Sequence, residues 1–275
     1  MRVYELISAG NSILKNENIE NYEFETDVLF SKVMGKHRLS YPRDYDVSDD
    51  LSQNFLKLVE KRSTHYPLQY ICQSWGFRNL DLAVGEGVLI PRQDTETVVE
   101  CALKCLENIE NPKVLDLCAG TGAIALAVFD ECKNAQVTAV EKYENAYKYL
   151  EINAKGKITA VCGDIFDFCD TLCEGEFDLI ISNPPYVTQK EMGTLEKELS
   201  FEPSTALTDG GDGLSFYRFI AEKYKFALKK GGALVFEIGA SQTADVCEIL
   251  SKEKYCEIFA FNDLAGLPRC VTAKR

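Results

Sequence analysis

Histidine is nearly missing: His37 and His65 are the only two in 275 residues. The 11 cysteines run from Cys72 to Cys270 without one Cys-x-x-Cys pair. Without these ligand spacings no metal site is expected. The cysteine count is odd, so free buried thiols in a reducing cytosol are the reading, with Cys101/Cys105 and Cys169/Cys173 spaced to share a helix face. No apolar run approaches the roughly 18 residues that span a bilayer. The opening MRVYELISAGNSILKNENIE has early acids and no apolar signal-peptide core. A soluble, cytoplasmic, monomeric protein with no membrane partner is expected. Also absent is any run of Lys and Arg. The formal net charge is −13 and the pI is near 4.8. Such a surface repels phosphate backbones, so stable nucleic acid binding is not expected.

What is present is a core. Apolar residues make up 46% of the chain, enough for one large domain or a main domain with a smaller one. From Met1 to about Gln73 the periodicity is helical. VYELISAGNSIL places Val3, Leu6, Ile7, Ile13 and Leu14 near one face, and YEFETDVLFSKVM does so with Phe24, Val28, Leu29 and Val33. SDDLSQNFLKLVEKR opens on Ser48 as an N-cap, after a break at YPRDYD. A hairpin from about Trp75 to Val84 follows, then a short strand, Val88 to Ile90, ending at Pro91. Asp94 or Thr95 then caps a helix running to about Asn108.

From Lys113 the rhythm is strand, helix, strand, helix: KVLDLCA, GAIALAVFDEC, QVTAVE, NAYKYLEINA, ITAVCGD and FDLIIS. SFYRFIAEKYKFALKK reads as a helix, GALVFEIG as a strand, TADVCEILSKE as a helix, and YCEIFAF and RCVTAK as closing strands. This alternation predicts an α/β fold with a parallel-rich sheet covered on both faces. Three domains are expected: 1–73 helical, 74–93 a hairpin connector, and 94–275 the main domain.

Two turns carry chemistry. The first, Cys118 to Gly122, follows the strand Val114–Leu117 and opens a helix. Glycines there allow positive φ and close approach of backbone to a ligand, and ligands in such sheets sit at the carboxyl ends of the strands. A dinucleotide fingerprint would need a third glycine at 125, where alanine stands. Glu141, ending the second strand, can accept two ribose hydroxyls. Asp164 ends the third strand, beside the place of an adenine ring, and capping the following helix is an equal alternative for it. The second turn is Asn183-Pro184-Pro185-Tyr186, where an apolar strand stops at one carboxamide and an aromatic ring. Its plainer alternative is a stiffened loop.

Asp116 to Gly122, Glu141 and Asp164 resemble the cofactor motifs of class-I S-adenosylmethionine-dependent methyltransferases, and NPPY resembles the signature of enzymes that methylate planar nitrogens. PLQYI, GVLIPRQDTE, VLDLCAGTGAIALA, SNPPYV, FEPSTAL…GGDGL and DLAGLPR stand in the order of the release factor glutamine methyltransferases, the PrmC/HemK family. The similarity runs from about Pro67 to Arg275; before it only a helical module is shared. Cys118 replaces a common first glycine, Gln93 a second proline, and Glu141 the commoner aspartate.

The resemblance implies a Rossmann-like class-I methyltransferase fold: a mostly parallel seven-stranded sheet with its last strand antiparallel, a small N-terminal helical domain that binds substrate, and a connecting hairpin. It implies S-adenosyl-L-methionine held by Asp116, Cys118, Ala119, Gly120, Thr121, Gly122, Glu141, Asp164, Ile165 and Asn183. It implies class-1 peptide chain release factors as partners, with Asn183, Pro184, Pro185, Tyr186 and Arg92 at the substrate glutamine. Catalysis is then placed on Asn183 to Tyr186. Two alternatives are a methyltransferase acting on exocyclic amines of adenine or guanine in DNA or RNA, and a binding module without turnover. Nothing in the sequence points to a haem or flavin.

Overall fold

The computed structural model describes residues 1–275. They form two compact units: residues 1–74 with 196–201, and residues 75–195 with 202–275. No helix is long and apolar enough to cross a membrane.

In the first unit, α1 (Val3–Asn16), α2 (Tyr22–Met34), α3 (Asp49–Ser63) and the short α4 (Leu68–Cys72) pack together. Gly10 lets α1 approach closely: a Cβ there would lie 2.8 Å from Thr26 and 3.0 Å from Phe55. Phe30 meets the Phe55 ring edge-on at 5.9 Å in this core. Ser48 accepts the Leu51 N–H at 3.5 Å, capping α3 as its sequence predicts. Phe24 departs from expectation. It is 59% exposed, because the buried stripe of α2 runs through Thr26, Leu29 and Phe30 instead. Arg62 is fully enclosed and is neutralised by Glu25 and by Glu198, whose carboxylate, from the distant 196–201 segment, accepts from Arg62 Nη2 at 2.5 Å.

The paired strands β1 (Ser74–Phe77) and β2 (Leu80–Ala83) come next, and all of them but Ser74 belong to the second unit. Val88 and Ile90 are buried, but residues 88–90 are not a strand. No neighbouring strand reaches them; the Ile90 N–H is satisfied by the Glu202 carboxylate at 3.0 Å. Residues Gln93–Thr95 form a 3₁₀ turn before α5 (Glu96–Cys105), which has no side-chain cap from Thr95 and ends short of Asn108.

Then come β3 (Lys113–Leu117), α6 (Ala123–Glu131), β4 (Gln136–Glu141), α7 (Glu144–Ala154), β5 (Thr159–Cys162), α8 (Ile165–Phe168) and β6 (Phe177–Ser182). The chain closes with α9 (Ser204–Leu207), α10 (Ser215–Lys223), β7 (Leu228–Glu237), α11 (Thr243–Lys252), β8 (Cys256–Asn262) and β9 (Pro268–Lys274). α10 is shorter than its sequence suggests, since Leu228 already pairs with Phe177. Lys229, read as helical, instead leaves the ladder and binds Asp178 on β6 through both carboxylate oxygens, at 2.7 and 2.8 Å.

The seven-stranded sheet has the order β5-β4-β3-β6-β7-β9-β8, with β9 alone antiparallel, as expected. Both faces are covered. Val114, Leu179, Ile181 and Val235 pack into a cluster with α5 and α6; Leu115, Leu117, Ile180 and Phe236 pack into one with α10 and α11. This is why β6 is buried at every position and reads as a continuous apolar run rather than an alternation.

Candidate active site

The strand order reverses between β3 and β6: from β3 the chain winds outward to β4 and β5, then returns to β6. The crevice above such a reversal is where ligands sit in open α/β sheets. Register brings the two sequence turns there. Leu117 pairs with Ser182, and Ser182 Oγ donates to the Leu117 carbonyl at 2.8 Å. β3 and β6 thus end level, and Cys118 and Asn183 leave the sheet side by side.

The first turn is built for backbone approach. Cys118, Gly120 and Gly122 have φ of 61°, 56° and 80°, the left-handed region. The two glycines differ in purpose. A Cβ at Gly122 would lie 2.6 Å from Leu150 Cδ1, so that glycine serves packing. A Cβ at Gly120 would meet nothing nearer than Val88 at 3.9 Å, and Gly120 lines the cleft. That is the cradle a ligand needs. α6 follows Gly122, which as N-cap offers no side-chain cap, and of the first-turn N–H groups at its positive end that of Ala125 is taken by Asp116.

Acids rim the cleft. Glu141, 6% exposed, accepts the Gly120 N–H and the Tyr143 N–H at 2.9 Å each. Burial raises its pKa, while these main-chain donors hold it down in part. Asp164 does both things its position allowed: it accepts the Phe166 N–H at 3.0 Å as a helix cap and lines the cleft. Burial would raise its pKa, but Lys142, 2.8 Å away, and the Phe166 amide outweigh this and leave it below the usual range. Burial and then the Glu141 charge push the Cys118 thiol up, which disfavours its thiolate.

Of the residues singled out from sequence, Arg92, Cys118, Ala119, Gly120, Thr121, Glu141, Asp164, Ile165, Asn183 and Pro185 line one cleft. Asp116, Gly122, Pro184 and Tyr186 do not. Asp116, 1% exposed, accepts the Ala125 N–H at 3.1 Å and so braces α6 from beneath the turn. Burial lifts its pKa to about 8, and nearby Glu141 adds to this. Arg92 is ion-paired with Glu202, whose other oxygen holds Ile90. Tyr186 points its hydroxyl at Glu237, 3.3 Å away.

Chain matches agree with this geometry. Residues 92–238 match the methyltransferase small domain and residues 5–72 match the PrmC N-terminal domain. A release factor glutamine methyltransferase of Fusobacterium nucleatum is 36% identical over 270 residues, covering 95% of this chain and 76% of the relative. One from Clostridium acetobutylicum is 34% identical over 284 residues, covering 100% and 99%. The chain belongs to the release factor glutamine methyltransferase family. A solved methyltransferase structure from Pyrococcus furiosus shares the fold, with TM-score 0.51 and 18% identity, covering 78% of this chain and 96% of that one.

For a release factor glutamine methyltransferase, several residues of this site carry no legible sequence signal. Phe166 and Phe216 meet as tilted rings, 5.5 Å between centroids, and together wall the cleft. Glu202 lies within FEPSTAL, but its bond to Ile90 spans 112 residues. Glu237 and Gln242 reach the NPPY turn from beyond β6, and nothing local marks them.

Proposed function

We propose that this chain transfers a methyl group from S-adenosyl-L-methionine to the side-chain amide nitrogen of the glutamine in the Gly-Gly-Gln motif of class-1 peptide chain release factors. One observation carries the reading: the paired ends of β3 and β6 bring a ligand-cradling turn and the Asn183 carboxamide into one cleft. The names of its relatives, release factor glutamine methyltransferases, support a release factor glutamine as the acceptor.

The cofactor supplies an electrophilic methyl on a sulfonium. Gly120 would give it room, Glu141 would accept hydrogen bonds from its ribose hydroxyls, and Phe166, Ile165 and Asp164, which line the same cleft, would hold its adenine. An amide nitrogen is a poor nucleophile because its lone pair is delocalised, the same delocalisation that makes peptide rotation cost about 18–20 kcal/mol. Attack requires that nitrogen to pyramidalise. The Asn183 Oδ1 and the Pro184 carbonyl are the two acceptors that hold its N–H groups out of the amide plane. Proline fixes φ, so these acceptors are set before substrate arrives. No strong base is needed, since the methylated amide is acidic and loses its proton to Asn183 or water. Residues 1–73 hold a second surface of the factor, 74–93 connect, and 94–275 perform the transfer, in a cytoplasmic monomer.

The test is mass spectrometry of a purified release factor incubated with the chain and S-adenosylmethionine. One added methyl on the Gly-Gly-Gln glutamine is expected. Methyl on another residue, or on RNA, sinks the reading.

A further inference from the structure

Tyr186 is gripped at both ends. Its hydroxyl donates to Glu237 Oε1 at 3.3 Å and receives Arg269 Nη1 at 3.5 Å. Its main-chain carbonyl receives Gln242 Nε2 at 3.0 Å. The same Nε2 donates to the Gly213 carbonyl at 3.3 Å, and Gln242 Oε1 accepts the Gly239 N–H at 3.0 Å. One buried carboxamide therefore ties the NPPY turn to the loop before α10 and to the loop after β7. The space is closed around it. A Cβ on Gly213 would lie 2.2 Å from the Tyr186 carbonyl oxygen, and one on Gly239 would lie 2.9 Å from Gln242 Oε1.

Neither Glu237 nor Gln242 lines the cleft. Both act through Tyr186, three residues after Asn183. Between them Pro184 and Pro185 lock φ, so the turn moves as a stiff piece and any slip at Tyr186 reaches Asn183. Resting on the function proposed above, we propose that Glu237 and Gln242 are positioning residues for methyl transfer, fixing the Asn183 and Pro184 acceptors by holding Tyr186 at its hydroxyl and its carbonyl.

Glu237 gives this device a pH readout. It is 2% exposed and is faced by Tyr186 from the turn, Arg269 and Cys270 from β9, and Asp94 and Thr95 from the 3₁₀ turn. Tyr217 of α10 donates to its main-chain carbonyl at 2.8 Å. Arg269 is shared with Asp94 at 3.1 Å and Asp263 at 3.3 Å, so it does not fully repay the burial of Glu237. Burial wins, and the carboxyl is raised to about 7. The ionised form is the stronger acceptor for the Tyr186 hydroxyl. Turnover therefore rises through neutrality.

Four chains test this: wild type, Gln242→Ala, Glu237→Gln, and Lys252→Ala on the exposed face of α11 as control. Single-turnover rates are measured across neutral pH with both substrates saturating, together with cofactor affinity and amide hydrogen exchange of residues 183–189 in the free chain. Gln242→Ala is expected to lower the transfer rate by about tenfold or more, since small misplacements are severe in near-attack geometry, to leave cofactor affinity near wild type, and to speed exchange in the turn. Glu237→Gln keeps an acceptor for Tyr186 and is expected to lose the rise near neutrality. A folded Gln242→Ala with wild-type rate and exchange, or an unchanged pH profile in Glu237→Gln, overturns the proposal. Exchange does not depend on substrate identity. If wild type methylated no release factor, the function above would fall while the grip on the turn was still decided.

Discussion

Glu141 Oε2 accepts the Gly120 N–H at 2.9 Å, so the last residue of one strand holds the ligand turn of its neighbour. The carboxylate fixes the turn and still has lone pairs for two hydroxyls. Glu141→Ala is expected to weaken S-adenosylmethionine binding by about 1–3 kcal/mol, the range for losing charged hydrogen bonds. Glu141→Gln should fall between, because its NH₂ group opposes one of the main-chain donors. Calorimetry decides, and unchanged affinity in the alanine variant would place the cofactor elsewhere.

The two glycines of that turn are expected to separate stability from binding. Gly120→Ala and Gly122→Ala both place a side chain in left-handed backbone, at about 1–2 kcal/mol each. Gly122→Ala also drives a methyl against Leu150, adding about 1–3 kcal/mol of overpacking. Thermal melts should show the larger drop at Gly122. Gly120→Asp should melt less severely yet abolish cofactor binding, since it adds negative charge beside Glu141. Equal melting losses for the two alanine variants would refute the packing distinction.

The parts of the fold that sequence made legible are those whose burial is simple. β3, β4 and β6 carry mainly apolar residues at their centres because helices cover both faces, and the glycine turn needs positive φ that few residues accept. Misreadings arose where a distant partner decides. LKK at 228–230 looks helical, but pairing with Phe177 and the pull of Asp178 on Lys229 make it strand and bulge. Val88 to Ile90 looks like a strand, and instead a carboxylate from residue 202 stands in for the missing neighbour. In the site, the residues following β3, β4 and β6 were legible because strand ends point into the crevice. Glu237 and Gln242 were not, since their partner Tyr186 is more than 50 residues away and no periodicity records that contact.

Two buried carboxyls set the pH response of stability. Glu237 rises from 4.5 to about 7 and Asp116 from 3.8 to about 8, both chiefly through burial. In each case the folded state keeps a proton that the unfolded state releases. Their contribution is therefore complete below the unfolded values and fades as pH rises through the folded ones. For Glu237 the span corresponds to roughly 3 kcal/mol. Denaturant midpoints should fall between mildly acidic and mildly alkaline pH, and the slope should flatten in Glu237→Gln and in Asp116→Asn. A wild-type slope in both variants would mean that neither group holds its proton in the folded chain.

Asn183→Ala separates chemistry from binding. Asn183 follows the last paired residue of β6, so truncation leaves the Leu117–Ser182 pairing and the Ser182 hydrogen bond in place. The glycine turn, Glu141 and Asp164 are untouched, and cofactor affinity should stay near wild type. What is lost is an acceptor whose value grows as the amide nitrogen pyramidalises. Removing one preorganised polar group of this kind lowers turnover by about 10²–10³-fold. The loss should appear in kcat more than in KM, because the interaction is strongest in the transition state. Asn183→Asp keeps an acceptor oxygen and should retain part of the activity, although its charge also attracts the sulfonium and stabilises the ground state. Tyr186→Phe supplies the contrast. It keeps the ring and the carbonyl held by Gln242 but loses the hydroxyl bond to Glu237, so its defect should be smaller than that of Asn183→Ala and should erase the pH step of Glu237. A wild-type single-turnover rate for Asn183→Ala would reduce the NPPY turn to a stiffened loop and require another acceptor for the substrate amide.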